Sequence, residues 1–140
     1  MQSPKNRRLE HCREVIRACI NIVEDRGDTY IAIHKDEDIE CVILVSMIRT
    51  QPILSVIVAD KILFAEGNEG DLYRTANDLN SESVTGWHTI VLQDNSSIYM
   101  YRQCLWMSES LTTEELTDVL CDSIAEYKYG RSQFAPHETP

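Results

Sequence analysis

Apolar residues change their spacing several times along this chain, and the changes mark its elements. Over residues 8–25 they fall at Leu9, Cys12, Val15, Ile16, Cys19, Ile22 and Val23. That spacing gathers them on one side of an α-helix and leaves Glu10, Arg13, Glu14, Arg17 and Asn21 on the other. Gly27 stands just beyond, where a helix C-cap takes the left-handed backbone that glycine adopts at least cost. Residues 1–7 are polar and read as a loose lead-in.

Three strands follow. Residues 29–34 make a short one, Asp36-Glu37-Asp38 a charged turn, and residues 40–49 a long, strongly apolar one. Pro52 marks the next turn, and residues 53–60, running on toward 64, are the third. Turns this short join antiparallel neighbours. Gly67-Asn68-Glu69-Gly70 is a loop. Asp71 is a good N-cap for a short helix through Leu79, with Leu72, Tyr73, Ala76 and Leu79 facing inward. Residues 87–92 and 98–107 are strands on either side of Gln93-Asp94-Asn95-Ser96-Ser97. Thr112-Thr113-Glu114-Glu115 is a capping box. The helix it opens carries Leu116, Val119, Leu120, Ile124 and Tyr127 on one face and ends at Gly130. The expectation is an α+β fold of order α-β-β-β-α-β-β-α, with a five-stranded antiparallel sheet packed with helices. Residues 1–130 form a single domain in this reading, and residues 131–140 a disordered tail.

The strands have an unusual property. Side chains alternate across a strand, so each strand offers two sets. Residues 40–49 offer Cys41, Ile43, Val45 and Met47 on one side and Val42, Leu44, Ser46 and Ile48 on the other. Residues 53–60 set Leu54, Val56 and Val58 against Ile53, Ser55, Ile57 and Ala59. Residues 98–107 set Tyr99, Tyr101, Leu105 and Met107 against Ile98, Met100, Cys104 and Trp106. A sheet with one wet face alternates apolar and polar residues, and these strands barely do. Helices on both sides, a dimer mate or a bound client chain would each cover the second face. The aromatic residues Trp87, Tyr99, Tyr101 and Trp106 suit a partner or dimer interface, and equally suit plain core packing.

Composition narrows the function classes. The 140 residues carry a formal net charge of -10, which repels nucleic acid phosphates. No apolar run reaches the roughly 18–20 residues of a membrane span. The N-terminus has no apolar core of a signal peptide, so a cytoplasmic location is expected. Five cysteines with no CxxC pair fit a reducing compartment. Candidate chemistry is thin. His11, His34, His88 and His137 are scattered. Asp36, Asp38 and Glu40 alternate as calcium ligands do, without the glycine and distant glutamate of a calcium loop. Gly67 and Gly70 precede a helix, with acids and no lysine beside them. Ser46, Ser55 and Ser108 lack a nucleophile-elbow setting. No metal, no cofactor and no catalytic residue is expected.

The element order resembles the type III secretion chaperone-like fold. Within that fold the chain is similar to the YbjN family, bacterial proteins proposed to regulate sensory transduction. The residues that carry the resemblance are Asn77-x-x-Asn80 closing the middle helix, the hairpin with its polar turn, the apolar strand after it, and the Thr-Glu-Glu helix start. It spans about residues 9–129. The chain departs from the family at Gly67-Asn68-Glu69-Gly70-Asp71, where a Pro-rich approach is common, and at Asp94-Asn95-Ser96, which lacks the usual glycine. The resemblance implies a small acidic protein-binding module, often homodimeric, with no catalytic residue to carry over. The expected function is therefore a non-enzymatic, chaperone-like or regulatory adaptor that binds a segment of an unidentified protein partner. A small-molecule sensor with a closed apolar pocket between sheet and helices is the alternative.

Overall fold

Ser3 and Pro4 begin the first helix earlier than the apolar spacing predicts. In the computed structural model, which describes residues 2–63, 69–93 and 96–134, α1 runs over Pro4–Cys19. The Ser3 side chain accepts a hydrogen bond from the Asn6 N–H at 3.1 Å. Pro4 sits in the first turn, where its missing N–H costs nothing. The helix stops at Cys19 because Ile20 turns to extended backbone (φ -126°, ψ 153°). Ile22 and Val23 lie beyond the helix, and the Val23 N–H donates to the Ile31 C=O at 2.8 Å. They lead into β1, Glu24–Asp25, a short strand where the apolar spacing predicts the end of the helix. Gly27 is accordingly no helix cap. Its φ of +88° serves the tight turn into β2, where its N–H donates to Asp25 Oδ1 at 2.8 Å.

The remaining strands lie close to their expected places: β2 Thr29–Lys35, β3 Glu40–Ile48, β4 Ile53–Leu63, β5 Trp87–Leu92 and β6 Ser96–Trp106. All pair antiparallel, in the order β1-β2-β3-β4-β6-β5. The sheet has six strands rather than five because β1 joins its edge. Asp36 builds the β2–β3 turn. Its Oδ1 accepts from the Asp38 N–H at 2.8 Å and the Ile39 N–H at 3.1 Å. Lys128 approaches the same carboxylate at 2.5 Å and His34 at 2.8 Å. Lys128 first, then His34 and the two backbone donors, hold the Asp36 carboxyl well below the usual carboxylate range. Asp36 is thus a turn-forming acid, and Asp38 contributes its backbone N–H to the same turn.

Helix α2, Glu69–Glu82, starts two residues before Asp71, which lies in its first turn and pairs with Arg74 at 2.8 Å. Leu72, Ala76 and Leu79 are buried, whereas Tyr73 is half exposed and not inward as expected. Gly67 of the expected loop, and Asp94-Asn95 of the hairpin turn, fall outside the described residues. Helix α3, Thr113–Gln133, is capped by Thr112, whose Oγ1 accepts from the Glu115 N–H at 3.0 Å and donates to Glu115 Oε1 at 3.1 Å. It runs straight through Gly130, and Phe134 beyond it is fully buried. The expected tail is therefore corrected over residues 131–134; residues 135–140 lie outside the described part.

All three helices pack on one face of the sheet. One set of each strand is buried beneath them: Tyr30 and Ala32, Cys41, Ile43, Val45 and Met47, Leu54, Val56 and Val58, Tyr99 and Tyr101. The alternate set faces away, where Ile33, Val42, Ile48, Trp87, Val91 and Trp106 are exposed. Burying one face of a six-stranded sheet under helices is a two-layer solution to forming a core.

Candidate interaction surface

The open face is ordered in rows by the strand register. One row runs Ile31, Leu44, Ile57, Arg102, Trp87 across five strands. A second runs Thr29, Ser46, Ser55, Cys104, and a third Ile48, Ile53, Trp106. On the other side of the first row lie Ile33, Val42, Ala59, Met100 and Thr89. The small residues of the second row make a furrow between two ridges of large ones. Thr29 and Ser46 share a hydrogen bond there at 3.0 Å. Ser55 and Ala59 are buried although they lie on this face, at 5% and 8% exposure. Arg102 lies over the Trp87 ring at 5.7 Å from its centroid, so the face's one central charge is held on an aromatic surface. The other formal charges on this face, Glu24, Lys35, Glu40 and Lys61, stand at its ends.

The four aromatic residues singled out from the sequence divide between the two faces. Trp106 is 69% exposed and Trp87 42%, both on the open face. Tyr99 and Tyr101 have no exposed surface and belong to the core beneath the helices, which corrects their expected place at an interface. Strand parity separates them, since Tyr101 and Arg102 are successive residues pointing to opposite faces.

Beneath the helices Tyr99 anchors a polar-edged aromatic cluster. Its ring stacks on Tyr127 at 5.0 Å and meets Phe134 at 4.8 Å. Its hydroxyl reaches His88 Nδ1 at 2.7 Å. Burial pushes the Tyr99 and Tyr127 hydroxyls far above the usual tyrosine range, so both stay protonated. Asn80, the last residue of the Asn77-x-x-Asn80 motif, holds His88 from the other side. Its Oδ1 accepts from the His88 N–H at 2.6 Å and its Nδ2 donates to the His88 C=O at 2.9 Å. An asparagine side chain thus pairs with β5 as a neighbouring strand would. The motif gave no hint of this role in the sequence, because its partner lies eight residues on across a polar link.

His88 gives the fold an acid-sensitive point. Burial holds its imidazole below the ordinary value of 6.5, and the Glu126 carboxylate, 4.0 Å away and partly solvated, does not offset that. The unfolded chain takes up this proton near 6.5 while the folded chain does not, so stability falls as pH drops below that value. His88→Gln should flatten this part of the profile. The check is the urea midpoint of both proteins at a series of pH values below 7, and equal slopes would refute it.

The other candidate residues are structural. His11 bonds to the Leu111 C=O at 2.7 Å, and His34 to Asp36; His137 is outside the described part. Among the described residues, no cluster of three or more His, Cys, Asp or Glu side chains could hold a metal ion. An open cleft of about 750 Å³ lies between α3 and the β3–β4 end of the sheet. It is lined by Asp38, Glu40, Asp60, Lys128 and Arg131, an ion-rich setting unlike the closed apolar pocket expected of a small-molecule sensor. Among the described residues, no helix is long and apolar enough to cross a membrane.

Fold and surface together define an α+β protein with one helix layer and one bare sheet face. The chain is similar in structure to YbjN from E. coli, whose crystal structure is described as that of a proposed transcription regulator. The two agree with a TM-score of 0.68 over 94% of this chain and 96% of that one, at 14% sequence identity. At that identity the likeness establishes the fold, and it meets the resemblance read from the sequence at that level. No protein-family model and no curated protein matches the chain.

Proposed function

We propose that this chain is a non-catalytic protein-binding module, a chaperone-like or regulatory adaptor, and that the open sheet face is its binding surface. Homodimerisation and binding of a segment of another protein both belong to this reading. One observation carries it: the helices cover a single face and leave the rows around Ile57 bare. Exposed apolar patches beyond a few hundred Å² are uncommon on monomeric soluble proteins and mark interaction sites. The proposed regulatory role of E. coli YbjN agrees with an adaptor. A net charge of -10 favours regulation through protein contacts over direct contact with nucleic acid.

The test is affinity capture with cross-linking, comparing the wild-type chain with Ile57→Glu and with Asp122→Lys on the helix side. Proteins held by wild type and by Asp122→Lys, and lost with Ile57→Glu, are the expected result. An unchanged set with Ile57→Glu would remove the open face from the reading.

A further inference from the structure

We infer that the cleft at the C-terminal end of α3 is a binding site for an aliphatic diamine or polyamine. The inference goes beyond the protein-binding reading, because this cleft lies beside α3 and the β2–β3 turn, apart from the rows around Ile57.

Charge is the first reason. Four carboxylates, Asp36, Asp38, Glu40 and Asp60, meet two side-chain cations, Lys128 and Arg131. Lys128 is committed to Asp36 at 2.5 Å and to Asp38 at 3.6 Å. Neither Glu40 nor Asp60 takes part in an ion pair among the described residues. The Asp60 carboxylate accepts a hydrogen bond from the Lys61 N–H at 2.7 Å. The carbonyl end of α3, which closes at Gln133, adds partial negative charge. A bound organic cation would offset this excess.

A buried hydroxyl is the second reason. Asp60 shares the strand parity of Leu54, Val56 and Val58 and stands opposite Tyr99, so its carboxylate lies on the helix side. Tyr127 stacks on Tyr99 with ring centres 5.0 Å apart. The Tyr127 hydroxyl is buried and makes no hydrogen bond, with Asp60 and the Arg131 guanidinium as charged neighbours. It is thus aimed at the wall of the cleft that Asp60 and Arg131 line. Burial first, then Asp60, push it far above the usual tyrosine range, so it keeps its proton. A buried polar atom without a partner is uncommon in a folded protein. An ammonium seated against Asp60 would give that oxygen a donor.

Size and spread are the third. The cleft measures about 750 Å³, within the range of small-ligand sites. Among the described residues, no three His, Cys, Asp or Glu side chains are gathered closely enough for a metal ion. Carboxylates spread along a cleft suit a cation whose charge is divided between two or more nitrogens. Ile39 and the methylene stem of Lys128 offer apolar surface to the carbons between them.

The test is calorimetric titration of the whole chain with 1,4-diaminobutane, spermidine and 1-aminobutane at constant ionic strength. The diamine and spermidine should each saturate a single site, and the monoamine should bind about tenfold more weakly or less. Asp60→Asn should weaken spermidine by about tenfold, and Glu40→Gln, at an exposed position, by a smaller factor. Asp118→Asn removes the same charge about 15 Å away along α3 and should change the affinity by less than about twofold. Tyr127→Phe should weaken binding while the free protein melts no lower, because it removes a buried atom that had no hydrogen bond. Far-ultraviolet circular dichroism checks the fold of each variant. No saturable binding at millimolar spermidine, or equal losses with Asp118→Asn and Asp60→Asn, would overturn the inference. So would tighter binding of an acetylated, amidated trilysine peptide, which carries the same charge as spermidine and would assign the cleft to a protein segment.

Discussion

Phe134→Ala should lower the unfolding free energy by about 3–5 kcal/mol, the usual cost of emptying a large buried aromatic site. Phe134 follows the last turn of α3, has no exposed surface and packs on Tyr99 with ring centres 4.8 Å apart. Its N–H closes the helix onto the Arg131 and Ser132 carbonyls. Removing the ring opens a cavity beside Tyr99 and loosens the α3 terminus together. In a domain of this size each kcal/mol moves the melting temperature by roughly 4 °C, so a fall of more than about 10 °C is expected. Ending the chain after Gly130 should cost at least as much, and Phe134→Leu distinctly less. Thermal and urea unfolding of the three variants would decide. If the shortened chain melts with the intact one, Phe134 contributes nothing to the core.

Gly130→Ala should be nearly as damaging, and Tyr99→Phe should relieve it. A Cβ at position 130 would overlap the Tyr99 hydroxyl and come within 2.8 Å of Tyr99 Cζ and 3.1 Å of His88 Nδ1. Alanine regains about 1 kcal/mol of helix propensity. Forcing a methyl into a packed core costs about 1–3 kcal/mol. Pushing the Tyr99 hydroxyl off His88 strands a buried polar group for about another 1–3 kcal/mol. The net is a loss of about 1–5 kcal/mol, centred near 3. Tyr99→Phe alone also destabilises, because His88 Nδ1 loses its partner. In the double variant the atom that the new methyl strikes is gone. The two changes together should therefore cost at least about 1 kcal/mol less than their sum. Additive losses in a denaturant double-mutant cycle would show that the hydroxyl is not what Gly130 accommodates.

Gly130 also illustrates where reading the sequence succeeds and where it stops. Apolar runs bounded by turn residues placed five strands within a few residues, and Thr112 with Glu115 placed the start of α3. A glycine near the end of an apolar repeat signals a stop as readily as a close approach, and only the Tyr99 ring across from it decides between them. Strand β1 escaped notice because Ile22 and Val23 happen to continue the spacing of α1. The open face was legible as a second apolar set, but which set faced the helices was not, since Val42, Leu44 and Ile48 are as apolar as Ile43, Val45 and Met47. The sorting signal was present in the polar minority. Ser46, Ser55 and Arg102 share the parity of Trp87 and Trp106, and buried strand interiors rarely hold an arginine. Tyr99 and Tyr101 belong to the other parity, so grouping all four aromatics joined residues from opposite sides of the sheet.

The clasp of Asn80 on His88 bears on how far this protein can assemble. An endless ribbon of sheets needs two free edges per molecule, one to offer and one to accept. Along β5 the outward N–H and C=O of His88 are already taken by Asn80, and α2 packs beside the strand. That leaves the β1–β2 side as the edge with room for another chain. A chain with a single usable edge ends every sheet it joins, so a continuous sheet stops at two copies instead of growing strand after strand.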